Sequence, residues 1–187
     1  DGDTSTARLT VGVANGVPTI GDDVQTVDET NLGPLTVNGA LAANYGSNGP
    51  GSITAQGSSF SASGSLRNGT LTAHGQAVAV TLSGNTWTGT TIDASTMASI
   101  VLFTLVLHND GTYAFTLRDN LDHANAADPN DVIDLHFGAV ITDSDGDTDT
   151  GAITIHVVDD APVTHNDTVS AAFNTVGTGN VLANDLS

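Results

Sequence analysis

No stretch of this chain sustains a helical apolar period beyond about two turns, whereas alternating or β-branched runs return throughout it. They lie at 7–13, 71–82, 100–108, 113–117, 135–141 and 153–158, separated by clusters of Gly, Asn, Asp and Ser. In residues 107–113, Asp110-Gly111 offers the positive-φ pair of a hairpin turn. Two segments could each form a short helical turn: 93–99, with Asp93 as N-cap, and 120–127. The expected class is all-β, an Ig-like, Greek-key β-sandwich with one or two short helical turns.

Charge narrows the function. The 187 residues carry 3 Lys+Arg against 21 Asp+Glu, a formal net charge of −18. A surface that tracks phosphates needs clustered cations, so nucleic acid is excluded as a partner and anionic membrane surfaces are disfavoured. The same charge discourages self-association. No apolar run reaches the ~18–20 residues that span a bilayer, so no membrane insertion is expected and the segment reads as soluble. Cysteine is absent, which removes disulfides, thiolate zinc sites and a cysteine nucleophile. Among the acidic residues only Glu29 is Glu, and there is no Lys. Acidity selected for solubility or halophily alone would draw on Glu as well. Asp, with its short arm and preference for turns, suits oxygen cages around a hard cation.

The chain also repeats itself. Asp1-Gly2-Asp3-Thr4 and the strand after it recur 144 residues later from Asp145-Gly146-Asp147-Thr148, without a gap through Pro18/Pro162 and Asp23/Asp167. This predicts one complete unit of a tandem array over 19–162. Residues 1–18 are then the end of a preceding repeat, and 163–187 the start of a following one. The alternative partition makes 1–18 the first strand of the central unit. Proline at both junctions suits a stiff linker.

Three acidic clusters carry the candidate chemistry. Asp143, Asp145, Asp147 and Asp149 alternate around Gly146, so that their carboxylates can converge on one ion from a loop. Ca²⁺ takes 6–8 oxygens and tolerates irregular geometry. The competing reading is a solvated acidic turn. Asp1 and Asp3 are the equivalent residues of the earlier copy. A junctional cluster, Asp159-Asp160 with Asp167, has Asn15-Gly16 with Asp22-Asp23 as its earlier counterpart. Carboxylates on both sides of a linker proline could share an ion; polar linker decoration is the alternative. The third group, Asp119, Asp122, His123 and Asp131, is a ligand-binding or structural candidate. Asp122 and His123 could equally cap a short helix, and Asp128-Pro129 resembles an N-cap with Pro at N1. No paired-carboxylate cleft is marked, and Trp87 is the only tryptophan. The six histidines show no HExxH-like spacing, which argues against zinc. No G-x-S-x-G elbow or Walker lysine occurs, so no enzyme is expected. The Gly/Ser-rich stretch 44–69 reads as a mobile loop or a surface hairpin.

Several ordered pieces carry a family resemblance. They are Asp28-Glu29-Thr30-Asn31-Leu32, Gly39-Ala40-Leu41-Ala42-Ala43-Asn44-Tyr45-Gly46, Leu121-Asp122-His123, Thr142-Asp143-Ser144-Asp145-Gly146-Asp147 and Val158-Asp159-Asp160-Ala161-Pro162. Together they resemble the tandem repeat domain of large type I-secreted RTX adhesins of Gram-negative bacteria. The tail from Asn180 to Asp185 is similar to the opening of a cadherin-like or VCBS-type repeat. The resemblance implies an extracellular β-sandwich rigidified by several Ca²⁺ ions, in a parent protein anchored at the outer membrane and used in attachment and biofilm formation. It leaves two roles open, a spacer contacting neighbouring repeats or a module that binds a peptide or glycan with Ca²⁺ in the site.

Overall fold

The computed structural model describes residues 1–12, 14–30, 33–125, 128, 130–160, 166, 168–174 and 176–180. Two sheets face each other. One has the order β2-β13-β12-β5, formed by β2 (Asp23–Asp28), β5 (Ser52–Gly64), β12 (Val132–Thr142) and β13 (Thr148–Val158). The other runs β3-β11-β10-β9-β8: β3 (Leu35–Ala40), β8 (Ala79–Ser83), β9 (Thr86–Ile92), β10 (Ser99–Leu107) and β11 (Thr112–Leu117). Two-residue strands form the small pairs β1 (Thr19–Ile20) with β4 (Ala43–Asn44), and β6 (Thr72–Ala73) with β7 (Gln76–Ala77). The chain passes from the first sheet to the second and back at β3, β5, β8 and β12, which is Greek-key connectivity. Among the described residues β2 lies parallel to β13 and every other strand pairing is antiparallel, the arrangement of an immunoglobulin-type sandwich extended by the β8–β9 hairpin beyond β10.

Alternation builds the core. Along β12, Ile133, Leu135, Phe137, Ala139 and Ile141 are buried while their neighbours are half-exposed, as a period of two requires. Ile153, Ile155 and Val157 of β13 continue that face, and Tyr113, Phe115 and Leu117 of β11 oppose it. Phe137 sits at the centre, with ring centroids 5.3 Å from Phe60, 5.4 Å from Trp87 and 6.1 Å from Phe103. Gly89 faces Phe103 across β9 and β10, and a Cβ there would lie 2.3 Å from the Phe103 ring. The missing side chain is what lets the ring lie flat on the strand.

The all-β class holds, but local expectations change. The segment 93–98 makes one turn, closed by Met97 N–H on the Asp93 carbonyl, and then enters β10. The described residues of 120–127 contain no helix. Short 3₁₀ turns fall instead at Gly46–Asn48 and Arg67–Gly69. The Gly/Ser-rich stretch is neither loop nor isolated hairpin: half of it is β5, paired with β12 at Ser52–Gln56 and again at Ser61–Gly64, with an irregularity between them. Residues 7–12, by contrast, form no strand and are exposed. Their repeat counterpart in β13 is paired on both sides, and nothing among the described residues flanks 7–12 in that way.

Candidate functional site

The two long central strands, β12 and β13, carry a cluster of ionisable side chains at each end. Beyond Thr142, the β12–β13 turn brings together Asp143, Asp145 and Asp147, with carboxylate oxygens within 4.8 Å of one another. Asp143 is buried. Its Oδ1 accepts the N–H groups of Asp145, Gly146 and Asp147 at 3.3, 3.1 and 2.9 Å, which holds the loop in a tight curve with Gly146 at φ 100°. Its Oδ2 is buried and has no partner. Asn48, in the first 3₁₀ turn, donates to Asp145 Oδ2 at 2.8 Å and to Asn15 Oδ1 at 2.5 Å. Asn15 in turn donates to Asp147 Oδ2 at 2.5 Å, and Ser144 Oγ to the Asn48 carbonyl. Burial and the adjacent Asp145 push the Asp143 carboxyl above its ordinary range, while hydrogen bonds from Asp143 and Asn48 hold Asp145 below it. Like charges this close favour a counterion between them. Carboxylates, amide oxygens and one orphaned buried oxygen make a hard-oxygen set that fits a divalent cation.

At the opposite end, roughly 30 Å away along β12 by its residue count, stand Glu29, His123 and Asp159. Their ligand atoms also lie within 4.8 Å of one another. Glu29 follows β2; its N–H bonds the Val158 carbonyl, and its Oε1 accepts the N–H of Leu121 at 2.9 Å. His123 Nδ1 lies 2.7 Å from Asp131 Oδ1. Asp131 Oδ2 accepts from Ser65 Oγ and from Asn125 N–H, and although burial opposes it, these donors and His123 hold Asp131 below the usual carboxylate range. Glu29 Oε2 and His123 Nε2 are buried and unpartnered, 3.6 Å apart. Burial pushes Glu29 up to about 8, assisted by Asp159, Asp160 and Asp119. Asp159 is raised too, by burial and by Asp131 and Asp160.

The other sequence candidates are placed elsewhere. Asp149 bonds the N–H of Ile20 at 3.0 Å and so ties β1 to β13; Asp22 bonds the N–H of Ala152 at 2.8 Å. Asp23 accepts the Tyr113 hydroxyl at 2.8 Å and the N–H of Ala40 at 3.3 Å, a latch between the sheets. Asp1 and Asp3 are exposed and join no ligand cluster among the described residues. Asp160 lies next to Asp159, and Asp167 lies outside the described residues. Asp119 pairs with His74 at 2.9 Å, and Asp122 caps the β6–β7 turn through Gly75 N–H at 2.8 Å. Asp128 forms a turn with Asn130 rather than a helix cap. Glu29 escaped the sequence reading of sites, although as the only Glu in an Asp-rich chain it was the available signal.

Residues 24–156 match the family described as Domain of unknown function (DUF5801). The chain belongs to this family. No curated protein and no solved structure matches it. The DUF5801 span covers the two facing sheets almost end to end, and includes Glu29, His123 and the Asp143–Asp147 loop. Asn15 and Asp159 lie just outside it, one on each side. They are also equivalent positions of the 144-residue repeat. Each end of the domain thus meets the same repeat position, once as Asn and once as Asp.

Proposed function

We propose that this DUF5801 chain is a Ca²⁺-binding repeat module of a large bacterial surface adhesin, a rigid extender that holds neighbouring repeats in line and supports attachment and biofilm formation. The observation that carries this reading is the loop at 143–147. There a buried, orphaned carboxylate oxygen is gathered with Asp145, Asp147 and Asn48, and with Asn15 from the segment that leads into the sandwich. A cation on these oxygens would neutralise like charges and tie the entering linker to the domain. Such a link resists bending at the junction. Only hard oxygens are offered, which favours Ca²⁺ over softer ions. Extracellular exposure, outer-membrane anchoring and type I secretion of the parent protein belong to the same proposal and rest on the resemblance to RTX adhesin repeats.

The test is thermal unfolding in millimolar Ca²⁺ and in EGTA. A site that binds only the folded state adds about 2.7 kcal/mol at a hundredfold excess over Kd, which for a domain of this size raises Tm on the order of 10 °C. The double variant Asp145→Ala, Asp147→Ala should lose that shift, and calorimetry should lose at least one Ca²⁺ site. Equal melting in Ca²⁺ and EGTA would refute the reading. The alternative, a module that binds a peptide or glycan through Ca²⁺, has less geometric support. Clefts of about 340 Å³ beside His136, Phe137 and Gly138 and of about 370 Å³ beside His74, Asp93 and Asp119 fall within the size range of small-molecule pockets, but neither is lined by Asp143, Asp145 or Asp147. A Ca²⁺-dependent hit on a peptide or glycan array would favour it nonetheless.

A further inference from the structure

The end of the sandwich remote from the Asp143 loop holds an arrangement that hard-cation chemistry does not explain. Two buried polar atoms, Glu29 Oε2 and His123 Nε2, face each other at 3.6 Å without a partner. That separation is too long for a hydrogen bond between them. Both side chains are almost wholly enclosed, with 0% and 3% exposure, and an unsatisfied buried polar group costs about 1–3 kcal/mol. Asp159 completes a triangle with edges of at most 4.8 Å. Asp131 sits on the far side of the imidazole at Nδ1, 2.7 Å away. A carboxylate there receives the Nδ1 proton and leaves the Nε2 lone pair aimed at Glu29 and Asp159, the usual support behind a metal-bound histidine.

From this geometry we infer a transition-metal site, with Zn²⁺ the fitting ion, bound by Glu29, His123 Nε2 and Asp159 and oriented from behind by Asp131. The site is additional to the proposed Ca²⁺ loop and does not depend on it. Ligand chemistry separates the two: Ca²⁺ takes oxygen ligands, whereas imidazole with carboxylates suits Zn²⁺ and its neighbours. The separation of the two buried atoms agrees. Zn–N and Zn–O bonds of about 2.0–2.2 Å in a tetrahedron place nitrogen and oxygen roughly 3.3 Å apart, close to the 3.6 Å found. Sequence spacing holds no sign of the site because its ligands arrive from the end of β2, the loop before β12 and the end of β13. An ion there would clamp those three segments together, and with them the exit from the domain.

The experiment uses the whole chain, stripped of metal and then kept in saturating Ca²⁺ throughout, so that failure of the Ca²⁺ reading leaves it interpretable. Titration with Co²⁺ is followed by its visible absorption. The expected result is one saturable equivalent, displaced by Zn²⁺. His123→Gln should weaken binding by about 100-fold or more, while His108→Gln, at an exposed histidine outside both clusters, leaves it unchanged. Should His123→Gln fail to fold by circular dichroism, Asp159→Asn, at the partly exposed end of β13, decides instead and should weaken binding at least about tenfold. Absence of a saturable Co²⁺ signal in folded wild-type protein would overturn the inference and leave Nε2 and Oε2 sharing a water or a proton. Binding unaffected by the folded variant would overturn it too, assigning the signal to surface histidines.

Discussion

Asp93 and Glu29 carry the same functional group in opposite states, and their surroundings decide which. One Asp93 oxygen receives three donors, Ser95 N–H at 2.7 Å, Ser95 Oγ at 2.6 Å and Thr96 N–H at 3.1 Å, and these hold its pKa at about 2. Glu29 receives one N–H in a buried site and rises to about 8. Because the folded-state pKa of Asp93 lies below its ordinary value of 3.8, its contribution is complete above about 4 and disappears as pH falls through about 2. Asp93→Ala should therefore lower Tm at neutral pH, and the gap from wild type should close between about pH 4 and 2. Thermal melts across that range check it; a gap independent of pH would mean that Asp93 acts without its charge. The N-cap reading of Asp93 was sound chemistry, since the side chain does collect the free N–H groups of the next residues. No helix follows, because Ile100, Leu102 and Phe103 pull the chain straight into β10. Glu29 shows the opposite limit. Its oddness was visible in the composition, but its meaning depends on His123 and Asp159, which only the folded topology brings near it.

Among the strands, legibility tracked how many apolar residues alternate. β10, β11, β12 and β13 were each anticipated, β12 and β13 beginning three and five residues earlier than their apolar runs, because their inward positions are large and, except in β10, whose Val101 is exposed, their outward ones are mostly small or polar. β5 was missed for a physical reason: it presents Ser, Gly, Ala and Gln over most of its length, with Ile53 and Phe60 its only large apolar residues. What makes it a strand is its neighbour β12, whose backbone it completes at the sheet edge, and the Phe60 ring, which reaches Phe137 at 5.3 Å and Phe103 at 6.4 Å. Phe60 lies within the pairing irregularity, between Gln56, which pairs with Gly138, and Ser61, which pairs with His136. Such a bulge lets a single side chain turn inward from an otherwise polar strand. Phe60→Ala should thus cost roughly 2 kcal/mol, less than the ~3–5 of a fully buried Phe because the residue is only partly enclosed. Amide exchange should quicken in β5 more than in β13, which is held on both sides. Uniform loss of protection across the sheet would show that β5 has no separate anchor.

Across the whole molecule, acidic clusters sit where the chain enters and leaves the sandwich. Coulomb repulsion among charges summing to −18 favours expansion, so ions bound at the two ends would act where the chain is least covered by the core. At the entry end, Val17 and Gly16 carbonyls lie against Gly46, Pro18 is buried, and Asn15 reaches Asp147 and Asn48. Residues 15–18 are thereby docked on the domain, while 1–12 remain exposed. If a cation in the 143–147 loop does the docking, Asn15 and Asp147 must be energetically coupled. A double-mutant cycle with Asn15→Ala and Asp147→Ala should then give an interaction of about 0.5–3 kcal/mol in Ca²⁺ and little in EGTA. Hydrogen exchange supplies the spatial check: in Ca²⁺, Asn15→Ala should raise deuterium uptake at 15–18 and 46–48 while leaving β12 and β13 protected. In EGTA, wild-type protein should show the same pattern and add 143–147. Additive mutations with unchanged uptake at 15–18 would mean that packing of Pro18 alone seats the linker. The acidic loop would then stabilise the sandwich without stiffening the junction, and the extender reading would lose its mechanical basis.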